Sequence, residues 1–96
     1  MRLELAGKHA YAYTAAHEPD REKPSVVFVH GAGLDHSWFA LQSRYFGYHC
    51  RNVLAVDFPG HGRSEGPPIP GVAGMADWIS QVLTKCRIGR ASVVGH

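Results

Sequence analysis

Residues 93–96, Val-Val-Gly-His, bring an apolar run up to a glycine and a histidine. A buried strand that runs into Gly-x-nucleophile-x-Gly makes the sharp turn that lifts a reactive side chain to the top of an α/β sheet. Gly95-His96 supplies the first half of that pattern, so the reactive residue is expected immediately after His96. Two stretches upstream share the same grammar. Ser25-Val26-Val27-Phe28-Val29-His30 runs into Gly31-Ala32-Gly33, and Asn52-Val53-Leu54-Ala55-Val56-Asp57 runs into Phe58-Pro59-Gly60-His61-Gly62-Arg63-Ser64. Continuous rather than alternating apolar residues predict strands covered on both faces, as in a parallel sheet.

Helical patterns lie between these strands. Over Asp35 to Tyr48, Trp38, Leu41, Tyr45 and Tyr48 fall at helical spacing and predict a short helix that frays around Gly47. Val72, Met75, Ala76, Ile79, Val82, Leu83 and Cys86 recur at helical spacing and predict a second helix with one apolar face. Asp77, Ser80, Gln81, Thr84, Lys85 and Arg87 fall mostly opposite; Asp77 suits the N-terminal half of the dipole, and Lys85 and Arg87 its C-terminal end. Gly89 is the expected stop, and Ala91 to Val94 the last strand. Ahead of all this, Arg2 to Ala6 and His9 to Thr14 alternate and predict an antiparallel hairpin turning near Gly7-Lys8 at a sheet edge. The charged, proline-bearing segment 17–24 reads as an exposed connection.

A hairpin followed by strand, helix, strand, helix, strand predicts an α/β domain with parallel strands and right-handed crossovers. Ligands of such sheets sit at the carboxyl ends of the strands, where all three glycine motifs occur. Alpha/beta domains commonly run to about 200 residues or more, so the pattern in this chain of 96 residues belongs to a larger kind of domain.

Composition narrows the partners. A net charge of +2, scattered along the chain, argues against nucleic acid and anionic membranes and leaves a small-molecule substrate as the expected partner. The N-terminus lacks an apolar signal core, no stretch is long and apolar enough to span a bilayer, and cytoplasm is the expected compartment. Cys50 and Cys86 lack Cys-x-x-Cys spacing, which favours packed, reduced thiols over a disulfide or a metal clasp. No metal and no cofactor is expected. The Gly-x-Gly-x-x-Gly dinucleotide fingerprint would need glycine at the position of His36, and no Gly-Lys-Ser/Thr of a phosphate loop occurs.

The phrases VVFVHGAGLDHSWF, NVLAVDFPGHGRSEGPP and ASVVGH, in this order and at these separations, resemble the N-terminal third of an α/β-hydrolase-fold enzyme of the serine-hydrolase type. The resemblance covers residues 25–96 and extends to the first hairpin. It implies that Ser-x-Gly follows His96, with the rest of the sheet, a variable cap, an acidic residue and a catalytic histidine beyond it. It further implies that the N–H of Ala32 is one oxyanion donor, Gly33 shaping the loop beside it, and that the residue after the nucleophile is the other.

The chemistry of the residues agrees with that implication. Attack on a carbonyl places negative charge on its oxygen, which preorganised backbone amides stabilise, and glycines let main chain approach a substrate. His30, directly after a strand, is expected to hold loop backbone rather than to act as base or metal ligand, and His61 to do similar work in the second loop. Asp57 precedes the expected nucleophile, the wrong chain order for a triad acid, and is expected to accept N–H groups of its own loop. Gly31, Gly60, Gly62, Gly95 and His96 complete the loop-shaping set, with Arg63 tethering the second loop through a carboxylate or carbonyl. Leu34 and His36 are the expected substrate contacts. Trp38, Phe39, Tyr45 and Phe46 fit either an acyl pocket or the core.

Two functional classes follow. One is a hydrolase of esters, thioesters or similar carbonyl compounds through a Ser nucleophile and an acyl-enzyme, with an Asp nucleophile of the dehalogenase or epoxide-hydrolase kind as its variant. The other is a non-catalytic interaction module. In either case the 96-residue chain by itself is expected to be inactive on esters and to self-associate through its last strand.

Overall fold

Arg2–Leu5 (β1) and Lys8–Tyr13 (β2) form an antiparallel hairpin, and β2 then pairs antiparallel with Asn52–Asp57 (β4). Ser25–Val29 (β3) lies parallel to β4 on one side and to Ser92–Gly95 (β5) on the other. The sheet order is β1-β2-β4-β3-β5 in this computed structural model, which describes residues 1–5, 7–14, 19–20, 22–31, 33–49 and 51–95. This is the mixed α/β sheet the sequence predicts, with the hairpin at one edge and the parallel strands beyond it. The expected roles of Ala32 and His96, the packing of Cys50, and the exposure of residues 17, 18 and 21 lie outside the described residues.

Side chains alternate across the sheet, so consecutive apolar residues feed two cores. Ala10, Ala12, Val27, Leu54 and Val56 face Trp78, Ile79 and Val82 of the helix Val72–Lys85 (α2). Val26, Phe28, Val53 and Ala55 face Phe39 and Phe46 on the opposite side, where the 3-10 turn His36–Phe39 leads into the helix Ala40–Tyr48 (α1). β4 is buried along its whole length, the consequence of lying under both layers. No helix among the described residues is long and apolar enough to cross a membrane.

Three local expectations are corrected. The stripe Trp38, Leu41, Tyr45 and Tyr48 faces outward; α1 buries Ser43 and Gly47 behind Phe39 instead. Residues with little side-chain volume let the helix lie close to the sheet, and Gly47 is helical and buried rather than frayed. On α2, Trp78 joins the buried face while Val72 is exposed, and Trp78 meets the Phe58 ring at 5.5 Å. The stop comes before Gly89: Arg87 takes a left-handed φ of +60°, and the N–H groups of Arg87 and Ile88 return to the carbonyls of Thr84 and Leu83. That is a Schellman closure with arginine at the position usually given to glycine, completed by burial of Ile88.

Candidate active site at the carboxyl ends of the strands

Register brings the three motifs together. Val29 pairs with Val56 on one side and with Gly95 on the other, so the chain leaves β3, β4 and β5 at one edge of the sheet. Neighbouring strands are about 4.8 Å apart, which sets the end of β3 directly beside Gly95.

The segment after β3 is held at its start by His30. The buried ring accepts the Phe58 N–H on Nε2 at 3.0 Å, and its Nδ1 lies 2.7 Å from the Gly31 carbonyl. The Phe58 N–H on Nε2 leaves Nδ1 as the ring nitrogen that can donate to the carbonyl. The His61 ring lies 5.0 Å away, with its own Nδ1 3.1 Å from the Pro59 carbonyl. Gly33 follows at φ +79°, and the Leu34 N–H closes the turn onto the Gly31 carbonyl at 3.1 Å. A Cβ at Gly33 would meet nothing within 4 Å, so conformation rather than space calls for glycine there. Gly33, Leu34, Asp35, Ser37 and Trp38 line a shallow open depression beside this turn.

Asp57 is the junction of the site. Fully buried at the end of β4, it accepts the His36 backbone N–H on Oδ1 at 2.6 Å and the Arg63 N–H on Oδ2 at 2.9 Å. His36 Nδ1 lies 3.0 Å from both carboxylate oxygens. Its ring packs against Tyr11, at 4.9 Å, and Tyr13, at 6.2 Å. His36 therefore turns one ring nitrogen inward and keeps its side chain 20% exposed. Gly62, at φ +50°, passes so close that a Cβ would stand 2.3 Å from Asp57 Oδ2. Gly60 has φ +78° beside Pro68. The Arg63 guanidinium, expected to tether the loop through an oxygen, lies 5.1 Å over the Tyr11 ring instead; only its backbone N–H reaches Asp57.

Asp35 caps the 3-10 turn, accepting the Ser37 hydroxyl and the Ser37 N–H at 2.9 Å. The hydroxyl bond first, and the amide bond next, hold its carboxyl below the ordinary carboxylate range. Asp35, His36 and Asp57 are also the group among the described residues whose donor atoms cluster within 4.8 Å, the arrangement a cation would need. Their oxygens already accept Ser37, His36 and Arg63 donors, so the cluster is a hydrogen-bonded knot.

Sequence reading missed Ser64 and Glu65. β2 runs past the end of β4, whose last residue, Asp57, pairs with Tyr11. The loop takes over from there. Ser64 Oγ donates to the Asp57 carbonyl at 2.6 Å and accepts the Tyr11 N–H at 2.9 Å. The Glu65 N–H donates to the His9 carbonyl, and Glu65 Oε1 accepts the His9 N–H, both at 2.9 Å. The signal, an unpaired end of a hairpin strand, needs the strand register to be visible.

Residues 26–96 match the alpha/beta hydrolase family. The chain is 38% identical over 76 residues to the dihydrolipoyllysine-residue acetyltransferase component of the acetoin cleaving system of Cupriavidus necator, a match covering 75% of this chain and 19% of that protein. It is 27% identical over 84 residues to (E)-2-((N-methylformamido)methylene)succinate hydrolase of Acinetobacter baylyi, covering 86% of this chain and 32% of that one. Among solved structures, the enol-lactonase from Burkholderia xenovorans LB400 superposes with a TM-score of 0.81 at 23% identity, over 99% of this chain and 36% of that chain, a likeness of fold. The chain thus spans between 19% and 32% of the length of these curated relatives.

Proposed function

This chain belongs to the alpha/beta hydrolase family, and from that premise we propose that it forms the oxyanion side of the active site of a hydrolase acting on an ester, thioester or similar small carbonyl substrate. A Ser nucleophile following His96 attacks the carbonyl carbon, assisted by a histidine base and an acidic residue from elsewhere in the protein. The oxygen turns into an oxyanion, stabilised by the Ala32 N–H and by the amide after the nucleophile. Gly33 gives the segment its turn, while His30, Asp57, His61, Gly60 and Gly62 keep the two loops rigid, so that no reorganisation is needed as charge develops.

One observation carries the reading: Val29 is paired with Gly95 in a parallel ladder, so the glycine turn after β3 and the Gly95 tip are neighbours on one sheet edge.

The test is the residue encoded after His96, together with an assay of the protein at its full encoded length. Serine, labelling by a fluorophosphonate probe and turnover of p-nitrophenyl acetate are expected. Aspartate at that position, or an active protein that resists the probe, overturns the proposal.

A further inference from the structure

We infer that His36 is a positioning residue for the reaction proposed above, fastening the far end of the oxyanion segment to the buried carboxylate of Asp57; the inference rests on that reading of the site. Gly31 and residues 33–35 lie between two anchors, His30 and His36, and both anchors are gripped by consecutive residues at the end of β4. Phe58 N–H holds the His30 ring at 3.0 Å, and Asp57 holds His36. The His36 grip is double. Its backbone N–H reaches Oδ1 at 2.6 Å, and its ring Nδ1 stands 3.0 Å from each carboxylate oxygen.

Any residue at this position can offer the backbone N–H. Only a side chain with a donor at the Nδ1 position adds the second contact, which resists rotation of the peptide plane about the first. Tyr11 and Tyr13 of β2 flank the ring, at 4.9 and 6.2 Å, and limit its swing. Asp57 in turn cannot drift: it is wholly buried, and the Arg63 N–H occupies its other oxygen. The two anchors are therefore fixed relative to β4, which is buried throughout its length. An oxyanion donor displaced by an ångström loses much of its effect on the transition state while substrate still binds.

The experiment compares wild type, His36→Phe and His36→Asn in the protein at its full encoded length, with p-nitrophenyl acetate as probe and amide hydrogen exchange as a second readout. Phenylalanine keeps the ring between the tyrosines and lacks the donor; asparagine can place its Nδ2 where Nδ1 stands. For His36→Phe, kcat is expected to fall about ten- to a hundredfold with KM within about twofold. His36→Asn is expected to recover most of the loss. An unchanged kcat in His36→Phe, an equal loss in both variants, or a loss confined to KM overturns the inference. If wild type itself fails to turn over the ester, the hydrolase reading falls and exchange alone decides the anchor. Exchange at Leu34 and residue 36 faster in the phenylalanine variant, and normal in the asparagine one, upholds it; equal rates in all three overturn it.

Discussion

Arg87 sits at φ +60°, a region that costs an L-residue roughly 1–2 kcal/mol, in a helix closure that nature usually gives to glycine. Glycine removes that cost and returns part of it as unfolded-chain entropy, so Arg87→Gly is expected to raise stability by about 0.5–1 kcal/mol in urea titrations. Gly62 is the opposite case. Its missing Cβ would fall 2.3 Å from the Asp57 carboxylate, and Gly62→Ala is expected to cost about 3 kcal/mol or more, since neither partner can move without releasing the His36 and Arg63 amides. Asp35 adds a pH-dependent contribution. Its carboxyl is held below the ordinary range by Ser37, so the stabilisation exists when the group is ionised and is lost as pH falls through its lowered pKa. Asp35→Ala is expected to cost about 1 kcal/mol at pH 7, and the gap from wild type to begin narrowing only as pH falls past the ordinary carboxylate value of about 3.9, read from urea midpoints along an acid series.

At the scale of elements, the strands were legible and α1 was half legible. β3 and β4 announce themselves because both of their faces are apolar, which continuous runs encode directly. The existence of α1 followed from spacing, yet its buried face did not: the packing surface is Phe39, Ser43, Phe46 and Gly47, and small residues chosen for closeness carry no hydropathy signal. Ser43 pushes this further, since its buried hydroxyl has no hydrogen-bond partner among the described residues. Ser43→Ala is expected to be neutral or to stabilise by up to about 1 kcal/mol, because it removes a desolvated polar group while keeping the volume small. In the candidate site, the strand ends were readable from the glycine motifs. The splice of Ser64 and Glu65 onto β2 was not, because it depends on one strand outlasting its neighbour, a fact of register rather than of residue type.

For the whole molecule, β5 is the outer strand of the described sheet. Val93 and Val94 are 58% and 42% exposed on a strand hydrogen-bonded on one side within the described sheet. The polypeptide 1–96 is expected to sediment as an oligomer, and Val93→Lys to shift it toward monomer, because a charged edge resists strand-to-strand addition. A wild-type polypeptide that sediments as a monomer contradicts this. The two-core architecture has a practical consequence as well. Trp78 lies under the sheet at 8% exposure and Trp38 stands above it at 51%, so each side carries its own indole. Emission from the first is expected to be shielded and blue-shifted and the second to be open to acrylamide, so that collisional quenching separates the helix layer from the glycine turn and gives two fluorescent channels without any added label.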